Sequence, residues 1–374
     1  MNKLLTIGIA VYNIKEEYLR SCLKSAAQSF GDNIEIMVID DCSREYCAEI
    51  CREYCTDSRI VYIRNERNMG ISTVRNMMIE RASGEWLMFV DGDDMLSQEL
   101  AKVTDILQDC GRDLIIFNNR TISGEALWPI SEPQNAQEPL IDLNDDQLRD
   151  IASAALTRRD VKGVYPDGFR LNPALVTVRA YRTEFLRNAG LRFDGSLKIA
   201  EDSLFSASVL LARPRAAICR TVMYYYRLNQ YSVMHRYNEN SKAVTDAYIK
   251  AAYDFIVKNM SNDREVNEDF IKYRCVYAMR DNFELNIFHR DNPKSYRNRK
   301  KDFSELLRSE PYRTAIESVN HREYSVYAVR LIVGLAQKKR FFMLDMCYRH
   351  DILFKLYGGI MHRINDLKGA AKGE

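Results

Sequence analysis

The sequence carries no excess of charge of either sign. Against 54 Lys and Arg stand 52 Asp and Glu, a net of +2 over 374 residues. That excludes the strongly basic balance of a general nucleic-acid binder. Long hydrophobic runs are missing too: the apolar stretch SVYAVRLIVGLAQ is broken by Arg330 and falls short of the roughly 20 residues of a membrane span. The opening MNKLLTIGIAVYN has no small-residue cleavage site behind it and reads as a strand, not a signal peptide. Nine cysteines, an odd number without secretory signals, point to reduced thiols in a cytoplasmic protein. Cys47, Cys51 and Cys55 recur every four residues, a spacing wrong for paired zinc ligands and fitting for small apolar groups on one helix face. No Ser-His-Asp set, no Gly-Lys-Ser/Thr phosphate loop, no dinucleotide fingerprint and no internal repeat stands out.

What is present is an ordinary globular composition, 46% hydrophobic and 28% charged. The length exceeds the usual single domain of about 100 to 200 residues, which suggests a catalytic domain plus an extension. Through residue 117 short β-branched runs alternate with amphipathic stretches, the rhythm of an α/β fold. Strands are expected at Leu4–Val11, Ile34–Ile39, Ile60–Ile63, Trp86–Val90 and Leu114–Phe117. Leu19, Cys22, Leu23, Ala26 and Ala27 repeat at helical spacing, as do Leu100, Val103, Ile106 and Leu107. Residues 118–166 lose the rhythm and read as an irregular insertion holding at most a short helix. Mixed structure returns from Pro173 to Arg227, with a helix from Glu201 to Ala212 and a strand through Met223–Tyr226. After residue 237 the pattern is helical.

The sharpest chemical feature is Asp91, Gly92, Asp93 and Asp94, directly after the apolar strand ending at Val90. In an open α/β sheet ligands bind beyond the carboxyl ends of the strands. Close carboxylates repel unless a cation compensates them, and Mg²⁺ or Mn²⁺ favours oxygen ligands together with substrate phosphates. The competing reading is a loop capping a helix that begins near Ser97. Asp40 and Asp41 end another strand at the same sheet edge and can accept from a base imide or a ribose hydroxyl, or cap the next helix. Tyr12 and Asn13, ending the first strand, offer a stacking face and an amide, or form an ordinary turn. Asn68, Met69 and Gly70 lead through Arg75 and Asn76 as a turn into a helix start, where backbone N–H groups and a guanidinium can approach an anion.

Taken in order, IAVYN, VIDDCS, NMGISTVRN, ASGEWLMFVDGDD and LRFDGSLKIAEDSLF resemble glycosyltransferase family 2, over roughly the first 235 residues. The resemblance implies an α/β GT-A (Rossmann-like) fold, a mixed, mostly parallel sheet flanked by helices and followed by a helical C-terminal domain. The catalytic domain is then 1–236, with a nucleotide-binding half at 1–117, the irregular insertion at 118–166 and an acceptor half at 167–236; the helical domain is 237–374. It implies that Tyr12 and Asp41 hold the nucleobase with Asp40 assisting, and that Arg75 contacts the donor. Asp93 is the direct metal ligand and Asp91 lies nearer the ribose or donor sugar, with Asp94 a neighbour of unassigned role. Glu201 and Asp202 resemble the family's Glu-Asp motif; Asp202 is the base expected of an inverting transfer, and Glu201 orients it or holds an acceptor hydroxyl. His235 completes the metal shell or meets the leaving diphosphate, and Arg236 neutralises it. Ala10 departs from the family, standing where proline is frequent, which alters a turn and not the chemistry.

The expected activity is Mn²⁺- or Mg²⁺-dependent inverting transfer from a nucleoside diphosphate sugar, a UDP-sugar by resemblance, to a glycan or lipid-linked acceptor in cell-surface polysaccharide synthesis. The rivals are a catalytically silent nucleotide-sugar-binding partner and a sugar nucleotidyltransferase; the latter should carry a glycine-rich basic loop near the first strand, absent here. From Val326 to Leu367 apolar residues mix with Lys338, Lys339, Arg340, Arg349, Lys355 and Arg363. This suits a helical domain packing its own core, a helical partner, or a peripheral contact at the inner face of a membrane.

Overall fold

The computed structural model describes residues 3–349 except 29–30, 32, 109, 131–139, 162–163, 167–168, 170–171, 229–235, 262 and 325. The chain divides into two compact units, Met1–Leu156 with Asp160–Gln230, and Thr157–Arg159 with Tyr231–Glu374. The first unit runs β1 (Lys3–Val11), α1 (Glu16–Ala27), β2 (Ile34–Asp40), α2 (Glu45–Tyr54), β3 (Ile60–Arg64), α3 (Ile71–Arg81), β4 (Gly84–Asp91), β5 (Met95–Leu96) and α4 (Leu100–Leu107). It continues with β6 (Leu114–Ile122), β7 (Ile141–Asp142), α5 (Asp145–Thr157), β8 (Arg179–Arg182), α6 (Thr183–Asn188), α7 (Glu201–Leu211) and β9 (Ala216–Arg227).

The strands form one mixed sheet in the order β3-β2-β1-β4-β8-β6-β9-β5, with β7 also on β9. The β1–β2, β2–β3, β1–β4 and β6–β9 pairs are parallel. Unbroken apolar strands such as WLMFV in β4 are what a sheet covered on both faces requires. Leu5, Ile7, Ile9, Trp86, Met88 and Val90 share one core with Leu19, Cys22 and Leu23 of α1 and with Cys47 and Cys51 of α2. Cys47 and Cys51 of the stripe are thus packing, while Cys55, just past the end of α2, is exposed. Register brings the chemistry together: Ala10 pairs with Asp91, Val11 with Asp40 and Asp40 with Arg64, so β1, β2 and β4 end level at one edge.

Two expectations change. The irregular insertion contains β6 continued to Ile122, β7, and the 13-residue α5, whose Leu148, Ile151, Ala152, Ala155 and Leu156 are buried. Its start is a capping box: Gln147 N–H donates to Asn144 Oδ1 and Asn144 N–H to Gln147 Oε1, both at 2.9 Å. The polar sequence around Asn144-Asp-Asp-Gln147 masked that signal. Second, no helix begins at Ser97; Met95–Leu96 pairs with Tyr224 and Tyr225 of β9 first, and α4 starts at Leu100.

The second unit is helical: α8 (Ser241–Met260), α9 (Arg264–Asp269), α10 (Val276–Asn282), α11 (Tyr296–Arg308), α12 (Tyr312–Ser318), α13 (Tyr327–Gln337) and α14 (Phe341–Arg349). π-Helical turns at Phe270–Cys275 and Phe283–Ile287 flank α10. Phe283, Phe288, Phe303 and Phe341 form a ring cluster with centroids 5.2 to 5.9 Å apart. Among the described residues no helix is long and apolar enough to cross a membrane.

The β1–β4 pairing is intolerant of side-chain volume at Gly84, where an added Cβ would meet the backbone N of Thr6 and lie 2.6 Å from the carbonyl carbon of Leu5. Gly84→Ala should therefore cost about 3 kcal/mol, as overpacking against backbone does. Urea denaturation checks this, and an unchanged midpoint would refute the close approach.

Candidate active site

The site is assembled at the level edge of β1, β2 and β4. A cleft of about 210 Å³ there is lined by Ala10, Tyr12, Asp41, Asn68, Asp91 and Asp93, among others. Tyr12 is 50% exposed, a free ring face at the cleft wall. Asp41 is buried and pins the next loop: Oδ1 accepts from Asn65 Nδ2 at 2.7 Å and from Met69 N–H at 2.8 Å, and Oδ2 accepts from Gly70 N–H at 2.8 Å. Gly70, at φ +84°, lets the chain turn there into α3. This hold on the backbone presents Asn68 to the cleft.

Asp40 and Asn13 serve the scaffold. Asp40 is fully buried; its oxygens accept from Ser43 N–H and from the Tyr62 hydroxyl, each at 2.8 Å, and Arg64 Nε stands 3.6 Å away. It is not among the residues lining the cleft, and its hydrogen bonds support the loop after β2. Asn13, at φ +52°, accepts from Arg44 N–H through Oδ1 at 2.9 Å, tying the end of β1 to the start of α2. Cys42, at φ +62°, is the matching left-handed turn after β2. Non-glycine residues in this region cost of order 1 kcal/mol or more and cluster at functional sites.

The acidic turn after β4 hangs from β9. Asp94 is buried; Oδ2 accepts from the Tyr224 hydroxyl and Oδ1 from Arg227 N–H, each at 2.7 Å. Asp91 N–H donates to the same Tyr224 oxygen at 3.2 Å, and Arg227 Nε donates to the Asp93 carbonyl at 2.7 Å. The Arg227 guanidinium also lies 4.2 Å from the Tyr18 ring centre. Burial, followed by the charges of Asp93 and Asp91, raises the Asp94 carboxyl well above the usual carboxylate range. Sequence reasoning left Asp94 unassigned and did not find Tyr224 or Arg227, whose partnership depends on a strand far along the chain.

Beside the cleft, Arg75 gathers three carboxylates. Nη2 donates to Asp91 Oδ1 at 2.9 Å, and Nη1 to Asp202 Oδ1 at 2.5 Å and Glu201 Oε1 at 3.4 Å. Its guanidinium lies 5.4 Å from the centre of the Phe193 ring, which stacks on Phe205 at 3.8 Å and meets Phe89 edge-on at 5.5 Å. Burial over these rings lowers the Arg75 pKa, but Asp202, Asp91 and Glu201 outweigh it and the net shift is upward. For Asp202, burial raises the carboxyl, Arg75 pulls it down, and Glu201 and Asp91 raise it again; the balance pushes it up to about 7. With 27% of its side chain exposed, it stays within reach of a ligand.

The segment leading into α7 is clamped by α3. Asn76 exchanges two hydrogen bonds with the Phe193 backbone, at 2.8 and 2.9 Å, and the Ser72 hydroxyl donates to the Asp194 carbonyl at 3.2 Å. Ala200, at φ +58°, then turns the chain so that Glu201 and Asp202 open α7. Arg236 is exposed in the second unit, and His235 lies outside the described residues.

Among the described residues no three acidic, His or Cys side chains converge as a metal shell of their own. Asp91 and Asp93 nevertheless supply hard oxygen donors in an open cleft, the donor set of a site that takes its remaining ligands from substrate phosphates and water.

The Glycosyl transferase family 2 model matches residues 6–161. EpsH of Bacillus subtilis is 29% identical over 239 residues, covering 63% of this chain and 64% of EpsH. The succinoglycan biosynthesis protein ExoO of Rhizobium meliloti is 28% identical over 232 residues, 61% of this chain and 62% of ExoO. The chain thus spans a little under two thirds of the length of these relatives. The crystal structure of Staphylococcus aureus TarS 1-349 in complex with UDP-GlcNAc superposes with a TM-score of 0.57 at 19% identity, covering 93% of this chain and 92% of that one. The fold is therefore that GT-A fold, a mixed, mostly parallel sheet with flanking helices and a helical C-terminal region.

The support of the acidic turn is directly testable. Asp94→Ala leaves the Arg227 N–H and the Tyr224 hydroxyl buried without their acceptor, which should cost about 2 to 4 kcal/mol. Chemical denaturation measures it; a loss no larger than that of an exposed aspartate would show that Asp94 does not hold the turn.

Proposed function

We propose that this chain, whose residues 6–161 match the Glycosyl transferase family 2 model, transfers a sugar with inversion from a nucleoside diphosphate, a UDP-sugar, to a hydroxyl of a glycan or lipid-linked acceptor in cell-surface polysaccharide synthesis. The work is placed in the cytoplasm, where nucleotide sugars are made. One observation carries the reading: Arg75 fixes the acidic turn after β4 and the acidic start of α7 in a single hydrogen-bonded array beside the cleft. The names of relatives add support: TarS of Staphylococcus aureus is a poly(ribitol-phosphate) beta-N-acetylglucosaminyltransferase, solved with UDP-GlcNAc.

In this reading Tyr12 stacks on the base and Asp41 accepts from it while holding the Met69–Gly70 backbone against the cleft. Asn68 and Asp91 face the ribose and donor sugar. Asp93, with Asp91 in support, would hold Mg²⁺ or Mn²⁺, which supplies charge neutralisation for the departing diphosphate. Asp202 takes the proton of the acceptor hydroxyl as the new O–C1 bond forms and the bond from C1 to the phosphate oxygen breaks, releasing the nucleoside diphosphate. Glu201, 3.4 Å from Arg75 Nη1, keeps that guanidinium and through it Asp202 in place.

The test is a screen of nucleoside diphosphate sugars for nucleotide release with Mn²⁺ and with chelator, using wild type, Asp93→Ala and Asp202→Asn. Metal-dependent release from one donor is expected, lost in Asp93→Ala. Asp202→Asn should bind the donor normally but turn over about 10² to 10⁴ times more slowly, the usual worth of a general base. Donor binding with no turnover on any acceptor would favour a silent binding partner, and no binding at all would overturn the nucleotide site.

The raised Asp202 carboxyl gives a second check. The base acts only when deprotonated, so kcat/KM should climb as pH rises through about 7 and level off above it. A profile flat down to the ordinary carboxylate range, about pH 4, would remove Asp202 from the proton transfer.

A further inference from the structure

At the corner where α13 turns into α14, three consecutive cations, Lys338, Lys339 and Arg340, are all exposed, and among the described residues none has an ion-pair partner. The nearby carboxylates are already committed. Asp345 is taken by Arg299, and Glu323 by Lys272 at 2.5 Å. Directly after the cations, Phe342 and Met343 are 62% and 50% exposed. They are not the loose end of a frayed helix. Phe341 and Leu344, on the opposite face of the same turn, are buried, and Phe341 packs on Phe288 at 5.2 Å, on Phe303 at 5.5 Å and on Tyr296 at 5.0 Å. The turn itself is closed by backbone bonds from Lys339 N–H to the Ala336 carbonyl at 2.9 Å and from Arg340 N–H to the Leu335 carbonyl at 2.9 Å. Packing therefore fixes two large apolar side chains outward beside uncompensated positive charge.

A groove of about 420 Å³ opens beside this corner, lined by His321, Arg322, Arg330 and Lys338 over Leu331 and Leu335. Among the described residues no carboxylate lines it, and the His321 ring sits close on Gly334, where an added Cβ would lie 3.0 Å from Cδ2. Cations around a groove with an apolar floor, next to exposed Phe and Met, match a surface that is anionic and phosphate-bearing outside and hydrocarbon beneath. A folded protein partner would need carboxylates at this spacing and a cavity for Phe342; a bilayer supplies both complements without a specific shape.

We propose that the α13–α14 corner docks on an anionic phospholipid bilayer, the groove cations taking lipid phosphates while Phe342 and Met343 enter the acyl boundary. This stands apart from the transferase reading, since it concerns other residues and is read by binding and not by turnover.

The experiment is co-sedimentation of the full chain with vesicles of phosphatidylcholine alone and of phosphatidylcholine mixed with phosphatidylglycerol, at low and high salt. Binding only to the anionic vesicles, weakened by salt, is expected. Charge reversal of Lys338→Glu, Lys339→Glu and Arg340→Glu together should weaken it by more than the roughly fivefold expected for each cation removed. Phe342→Ser with Met343→Ser should weaken it about tenfold at fixed charge. All five positions are exposed or at the turn surface, so the variants should keep the wild-type melting transition, which is measured alongside. Equal binding to neutral vesicles, sedimentation unchanged by both variants, or no binding to either vesicle would overturn the proposal. So would saturation of the groove by inorganic phosphate without vesicle binding, which assigns it to a soluble anion, or a concentration-dependent dimer broken by the Phe342/Met343 pair, which assigns the face to a second copy.

Discussion

The arrangement depends on one guanidinium. Arg75 is held on α3, yet its donors reach Asp91 at the end of β4 and Glu201 and Asp202 at the start of α7, segments far apart in sequence. Removing one partner of a buried ion network strands the other charges, at a cost of several kcal/mol. Here the stranded groups would be three carboxylates over a stack of aromatic rings, so the acidic motifs can approach one another only because Arg75 stands between them. The same sharing explains why Asp202 is raised and not depressed. A lone Asp–Arg pair lowers a carboxyl, but one guanidinium divided among three acids leaves burial and mutual repulsion ahead.

A second layer fixes where the array sits. Asn76 and Ser72, one on each side of Arg75 along α3, hold the backbone at Phe193 and Asp194 that leads into α7. From the other direction β9 crosses back to hold the acidic turn through Tyr224 and Arg227. The motif residues therefore differ in exposure in a consistent way. Asp94 and Asp40 face inward and spend their oxygens on the scaffold, while Asp91 and Asp93 face the cleft. Adjacent acids in one short motif have separate duties because successive residues of a tight turn point in different directions.

That division marks what could be read from the chain. The strands β1 to β4, β6 and the end of β9, and the gathering of Tyr12, Asp41, Asn68, Asp91 and Asp93 around one cleft, follow from apolar runs ending in polar residues and from parallel pairing, which aligns strand ends; the short β5 and β7 and the four-residue β8 carry too little local pattern to be read. Local patterns carry such information. The duties of Asp40 and Asn13 were not legible, because their partners Tyr62 and Arg44 are set by register and turn geometry. Asp94 was opaque for the same reason, its donors lying on β9. The helix α5 was legible in principle, since Asn144 and Gln147 spell its cap, but the polar composition around it outweighed four residues of signal.

The electrostatics of the array also bear on the proposed chemistry. Asp91, Glu201 and Asp202 face a single Arg75, and Asp93 stands in the adjoining cleft. Even with Asp202 protonated part of the time, this corner is negative before any ligand arrives. A diphosphate entering alone would add like charge at close range, and such repulsion is weakly screened in a partly buried site. Arg75 cannot relieve it, being already outnumbered. In the proposed reading Asp93 with Asp91 would hold a divalent cation that offsets this negative charge for an incoming diphosphate, which makes a metal integral to that reading and not an accessory.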